Sequence, residues 1–169
     1  MRILTFFREF LEHCIILLPD NRIGISLRCA YWARRLQTGS NPGIIGQFTI
    51  IKHPGRIFIG NSSINNFVTI DATCGEEIHI GNNVFIGPYT IVVSWDHNFS
   101  DPQKTIREQG YVGGKVRIED DVWIGAHCII TRDTTIGQGS VIGAGSVVTR
   151  DIPPNSVAYG VPARVIRQR

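Results

Sequence analysis

Residues 118–151 read IEDDVWIGAHCIITRDTTIGQGSVIGAGSVVTRD. Ile118, Ile124, Ile130, Ile136, Ile142 and Val148 recur every sixth position, and four residues after each stands Val122, Cys128, Thr134, Ser140, Ser146 or Ile152. A helix repeats its buried face every 3.6 residues and a strand every second residue, so a period of six means a short strand followed by a corner. Three such segments close a triangular coil of about 18 residues, and successive coils pair at the usual strand spacing of about 4.8 Å. In this scheme the aliphatic residue fills the prism, the small residue fits beside it, and Gly or Asn next to it (Gly81, Asn82, Asn83, Gly125, Gly137, Gly143) allows the corner. The same register appears in Ile80, Ile86 and Val92, and earlier in Ile45, Ile51 and Ile57.

Outside the repeat, composition sets bounds. The chain has 169 residues, 43% of them hydrophobic, enough for one sizeable core. Only 18% are charged, which excludes a disordered or rod-like chain. A net charge of +3 does not indicate a nucleic-acid partner. Cys14, Cys29, Cys74 and Cys128 stand far apart with no CxxC pair, the pattern of reduced cytoplasmic thiols. The N-terminus does not read as a signal peptide, and CIILLP at 14–19 is far short of the roughly 20 residues of a spanning helix. The chain is expected to be soluble and cytoplasmic.

Organisation changes near residues 37–43. Before that point Ile3, Phe6, Phe7, Phe10, Leu11, Cys14 and Leu18 recur at helical spacing up to Pro19. A second helix is expected from about Ile25 to Leu36, with Arg28, Arg34 and Arg35 on its polar face. This N-terminal segment, 1–42, is read as a helical cap on a repeat domain spanning 43–169, because a repeat stack needs a covered end. The rival reading of residues 1–36 is a surface helix resting on the inner face of an anionic membrane.

The repeat breaks once at length, at 94–115 between Val93 and Val116, and the insertion carries WDHN at 95–98. Long insertions in compact repeat domains are mostly functional or disordered, and Trp95, Phe99 and Tyr111 argue against disorder. A solitary loop histidine such as His97 is most often a solvated surface residue. Cys128 falls in an inward slot of the repeat, where packing explains it better than covalent catalysis.

The period resembles that of the hexapeptide-repeat acyltransferases, whose fold is a left-handed parallel β-helix, over about Ile45 to Arg167. The insertion resembles that of the galactoside and maltose O-acetyltransferase group, which carries its general base on the first turn. The resemblance therefore implies that His97 takes the proton from an acceptor hydroxyl, as a neutral imidazole does near cellular pH. Asp96 or Asn98 is placed to orient the ring, and direct transfer in a ternary complex is the expected route. In INNFVTID at 64–71, Asn65 is read as occupying an aliphatic position of the Ile59 register. The resemblance gives it an acceptor-contacting role and pairs it with His97 as catalytic. The group's paired acidic residues are matched only by Asp71, and Asp71, Trp95 and Asp96 are expected on the substrate side.

VWIGA at 122–126, GAGSVVTR at 143–150 and IPPNSVAYGVPARVIR at 152–167 resemble the group's coenzyme-binding region. This implies acetyl-CoA as co-substrate, held by Ala126, Ala144, Thr149, Arg150, Arg164 and Arg167, with the Ala126 amide as an oxyanion donor. Residues 153–169 are expected as a C-terminal tail. No metal is expected, since the spaced histidines lack the His-x4-His pair of zinc-binding relatives of this fold.

The combined reading is a mainly β protein, a left-handed parallel β-helix with a helical N-terminal segment and an inserted active-site loop. Its expected activity is acetyl-CoA-dependent O-acetylation of a sugar or cell-surface glycan precursor, in a homotrimer whose sites are shared between subunits. The alternatives are N-acetylation of a nucleotide-linked amino sugar and a non-catalytic assembly subunit; serine acetylation fits less well, because that group carries a larger helical N-terminal part.

Overall fold

The computed structural model describes residues 2–169; Met1, the first residue of the expected N-terminal segment, lies outside the described residues. Strands of two or three residues stack in parallel on three faces of a left-handed β-helix. On the first face Ile45, Ile64, Ile86, Ile124, Ile142 and Ala158 are in register. Ile51, Ile70, Val92, Ile130 and Val148 stack on the second, and Ile59, Ile80, Ile118 and Ile136 on the third. All of these side chains are buried. Each buried Ile or Val is worth about 1.5–3 kcal/mol relative to exposure, so the six-residue period is the stabilising device itself.

The second inward position of each segment explains why small hydroxyl residues recur there. Ser62 Oγ donates to the Gly81 carbonyl at 2.7 Å and accepts from the Val84 N–H at 2.8 Å. Thr90 does the same between the Gly125 carbonyl and the Cys128 N–H. Corner backbone groups that no strand can pair are thus satisfied from inside the prism.

The corners are built only in part as the sequence suggests, since of the six residues expected there Asn83 alone is left-handed. The left-handed residue at the first corner is Phe48, Phe67, Tyr89, His127 or Gly145, and at the third it is Asn83, Asp121, Gly139 or Asn155. Gly125, Gly137 and Gly143 have ordinary φ. A Cβ on Gly125 would stand 2.6 Å from the Ala144 nitrogen of the next coil, so close approach of backbone, not torsional freedom, requires glycine there. The ring-bearing first corners stack into a ladder: Phe48, Phe67, Tyr89 and His127 lie nearly parallel with centroids 4.8–4.9 Å apart, the spacing of the coils.

All the additions to the repeat fall on the edge between the second and third faces: residues 53–56 in the first coil, 72–77 in the second and 94–115 in the third. The fourth coil turns there in three residues, 131–133.

Two helices close the N-terminal end. The first, α1, is Arg2–Ile16 and the second, α2, is Arg22–Ala33. α2 starts and ends three residues earlier than the spacing suggests, because Asn21 caps it by accepting from the Gly24 N–H at 2.8 Å. Arg28 is not on a polar outer face. It is fully buried, donates to the Ile45 carbonyl at 2.6 Å, and is bound to Asp20 and the Leu18 carbonyl. The indole of Trp32, fully buried, and Leu36 complete the lid over the first coil. At the opposite end residues 153–169 form no loose tail: Ser156–Gly160 joins the first face and Ala163–Gln168 returns antiparallel to it.

Candidate active site

The 94–115 insertion is a built hairpin. Ser94, fully buried, fastens its base by donating to the Glu76 carbonyl and accepting the Gly114 N–H. Trp95–His97 then pairs antiparallel with Tyr111–Gly113, His97 opposite Tyr111. The imidazole is exposed and lies 4.8 Å from the Tyr111 ring and 5.7 Å from the Trp95 ring. Asp96 accepts the backbone N–H of His97, and Asn98 accepts from Ser100. Among the described residues no side chain, Asp96 and Asn98 included, hydrogen-bonds the imidazole.

Asp71 is the keystone under this hairpin. Burial works against its ionisation, but the Thr73 hydroxyl and N–H, the Trp95 indole and Lys52 outweigh it and hold its carboxyl below the usual range. Its oxygens lie 2.8 Å from the Thr73 nitrogen and 3.2 Å from Lys52 Nζ. The Trp95 N–H is buried without a partner in good hydrogen-bond geometry, yet close enough to favour the charged carboxylate. Lys52 and Thr73 also line a cavity of about 660 Å³ with Glu9, Glu12, Arg35 and His53. Asp71 thus meets residues of the chain itself, and that cavity touches the loop through them.

Asn65 stands elsewhere and is exposed. The inward residue is Ile64, one position earlier, because the corner before it is a residue shorter than the period requires. Asn65 occupies the column of Gly46, Gly87, Gly125 and Gly143, and it brings a side chain where those four coils have none. It lines a cleft of about 640 Å³ on the first face, with Ser63, Phe85, Trp123, Asp121 and Arg169 among the walls. No residue of the insertion lines this cleft.

One position further along the same edge, the chain supplies spare hydrogen-bond donors. The Gln47 N–H bonds to Asn66 and the Asn66 N–H to Asn65, and Pro88 has no N–H. In the next two coils the N–H groups of Ala126, half-buried, and Ala144, exposed, find no acceptor among the described residues. Two unpaired donors one coil apart suit carbonyl oxygens of a ligand lying along the edge. Cys128, beside them, is fully buried, and burial pushes its thiol up from its ordinary range, the state of a packing residue.

All but two of the site residues read from the sequence therefore fall into two groups. Asn65, Ala126 and Ala144 lie on the edge between the first and second faces; Asp71, Trp95, Asp96, His97, Thr149 and Arg150 lie where the second face ends. Arg164 and Arg167 are exposed on the terminal hairpin of the first face. Lys52, Trp123 and Arg169 are not site residues of the sequence reading, which names Tyr111 only as a sign that the insertion is ordered. A signal existed for Tyr111, since a hairpin returning to the repeat places a residue opposite His97; the cleft walls carry none, because they are outward residues of the ordinary period. Among the described residues no three His, Cys, Asp or Glu side chains cluster as a metal site.

Residues 115–150 match the family profile described as bacterial transferase hexapeptide, six repeats. The chain is 42% identical to the galactoside O-acetyltransferase of Escherichia coli over 117 residues, 69% of this chain and 53% of that protein. It spans about half the length of several curated relatives it matches. The solved maltose O-acetyltransferase of Clostridium difficile superposes with a TM-score of 0.74 at 32% identity, covering 99% of this chain and 89% of the other. A hexapeptide-repeat acetyltransferase from Vibrio cholerae, solved with acetyl coenzyme A, gives 0.73 at 29% identity, over 92% of this chain and 82% of the other.

Proposed function

The chain belongs to the hexapeptide-repeat acetyltransferase family of the galactoside and maltose O-acetyltransferase type, and from that premise we propose that it moves an acetyl group from acetyl-CoA to a sugar hydroxyl. The observation that carries this is the pair of unpaired N–H donors at Ala126 and Ala144 on the edge that Asn65 also occupies. Thr149, Arg150, Arg164 and Arg167 are the proposed contacts to the rest of the coenzyme, the arginines for its phosphates.

In the reaction the neutral His97 imidazole takes the acceptor hydroxyl's proton as the oxygen attacks the thioester carbonyl. The resulting oxyanion rests on the Ala126 N–H. Collapse of the tetrahedral species breaks the carbon–sulfur bond, and the imidazolium returns its proton to the departing thiolate. The product is the acetyl ester and free coenzyme A, with no covalent enzyme intermediate. The closed packing around Cys128 favours this direct route.

Because the two groups of site residues lie on the two edges of the second face, we place each active site between two copies, in a homotrimer. One copy supplies Asn65, Ala126 and Ala144, and its neighbour supplies His97. Among the outward residues of the second face, Ile50, Ile91 and Ile129 are exposed and apolar, as a subunit contact requires. The acceptor we propose is a glycan precursor larger than a free disaccharide, reached over the open first face.

The test is consumption of acetyl-CoA over free galactosides and maltose, nucleotide sugars and lipid-linked glycans, each with hydroxyl and amino-sugar forms. A glycan precursor acetylated on oxygen is the expected substrate. Turnover confined to amines overturns O-transfer, efficient use of simple free sugars overturns the acceptor class, and coenzyme binding without turnover on any acceptor overturns the enzyme.

A further inference from the structure

The chain carries 17 basic and 14 acidic residues, and they are not evenly spread. Residues 1–36 hold six arginines against Glu9, Glu12 and Asp20, which leaves eleven basic and eleven acidic residues in 37–169. The whole net charge of +3 therefore resides in the helical segment.

That segment is also amphipathic with its apolar side facing away from the protein. At 100° per residue, Phe6, Phe7, Phe10, Leu11 and Cys14 fall in one sector about 140° wide of α1, and Leu17 follows just past its end. All six are exposed; Phe6 and Phe7 each keep 62% of their surface and Phe10 59%. The Phe6 ring packs against both of the others, edge-on to Phe7 at 5.9 Å and stacked on Phe10 at 6.4 Å. On the other side of α1, Ile15 and Ile16 pack on the core, while Glu9 and Glu12 turn toward the cavity holding Lys52 and His53. An ordinary surface helix does the reverse. α2 has no acidic residue, and its outer side adds Ile23 and Leu27 beside exposed Arg22 and Arg34.

We propose that α1 and the outer side of α2 form a docking surface for an anionic lipid bilayer, with α1 lying in the interface plane. A contiguous aromatic stripe of this kind is too apolar to be left in water without a role. The segregated positive charge complements an anionic leaflet, and it opposes self-association through this face, which would bring like charges together. No helix among the described residues is long and apolar enough to cross a membrane, so the contact is peripheral. With coils about 4.8 Å apart and a helix about 10 Å thick, Asn65 in the second coil stands within roughly 15 Å of the surface, within reach of a saccharide carried on a lipid. The binding itself does not depend on the acetyl-transfer reading.

Sedimentation of the full chain with phosphatidylcholine vesicles, with and without about one-third phosphatidylglycerol, tests it. The protein should pellet with the anionic vesicles and be released by salt. Phe7→Ser with Phe10→Ser, checked for unchanged circular dichroism, should lower binding by about tenfold or more. Arg22→Gln with Arg34→Gln should abolish the preference for anionic lipid. Absence of pelleting, or equal pelleting of the phenylalanine variant, overturns the proposal. So does a fall in light-scattering mass in that variant when the parent ignores vesicles, which would make the stripe a contact between copies.

Discussion

At the residue scale the most informative position is Ala126. Its N–H is assigned to the oxyanion, and Pro88 fills the same place in the coil below, also after a glycine. Ala126→Pro therefore removes one donor from a corner that accommodates proline. We expect kcat to fall by about 10²- to 10³-fold with the melting temperature nearly unchanged; an active variant would free Ala126 of that role. His97→Ala should lower turnover by about 10²- to 10⁴-fold and leave coenzyme affinity alone. Asp71 makes a prediction of another kind. Its folded carboxyl titrates below the unfolded one, so its contribution to stability is complete above the ordinary carboxylate range and is lost as pH falls through the lowered folded value. Asp71→Asn should cost on the order of 1–2 kcal/mol near pH 7 in a denaturant titration, and the difference should close as pH falls through the lowered folded value. A pH-independent difference would mean that shape, not charge, is what Asp71 supplies.

At the element scale the first coil depends on α2. A β-helix end exposes one cross-section of its apolar interior, and Trp32 and Leu36 cover it while Arg28 occupies the Ile45 carbonyl. Trp32→Ala should therefore destabilise by about 3–5 kcal/mol, seen as a shift in urea midpoint. Loss of less than about 1 kcal/mol would show that α2 is not the lid. The hairpin at 94–115 is stable for a different reason: its base is tied to the second coil through Ser94 and Asp71, and its two strands carry the aromatic rings of Trp95 and Tyr111 packed on each other. It is this packing, not the repeat, that fixes where His97 points.

At the scale of the whole molecule the separation of Asn65 from His97 leads to a mixing experiment. If each site draws one edge from each of two copies, His97→Ala and Asn65→Ala chains are each inactive alone but complement in mixed trimers. Random mixing at equal amounts, after dissociation and reassembly, should restore about a quarter of the wild-type sites, since one in four pairs the two intact edges. No recovery in assemblies shown by mass to be mixed would place both residues in a site within one chain.

The sequence alone determined the prism. A period of six over residues 118–152 admits no helix and no flat sheet, and its inward positions are the ones found buried, from Ile118 and Val122 through Val148 and Ile152. The break after Val93 and the resumption at Val116 were legible because an aliphatic residue missing from its slot is a local fact. Asn65 was misplaced by one residue because a shortened corner shifts the register without altering composition; setting Ile-Gly against Ile-Asn would have put it in the glycine column. Only the tertiary structure decided which edge each residue stands on. An edge is fixed by the sum of all insertions and deletions before it, and those depend on corner geometry, such as the close approach that requires Gly125, more than on residue type. The outward apolar stripe of α1 was equally hidden. Periodicity shows that a helix has an apolar side, and only packing shows whether that side faces the core.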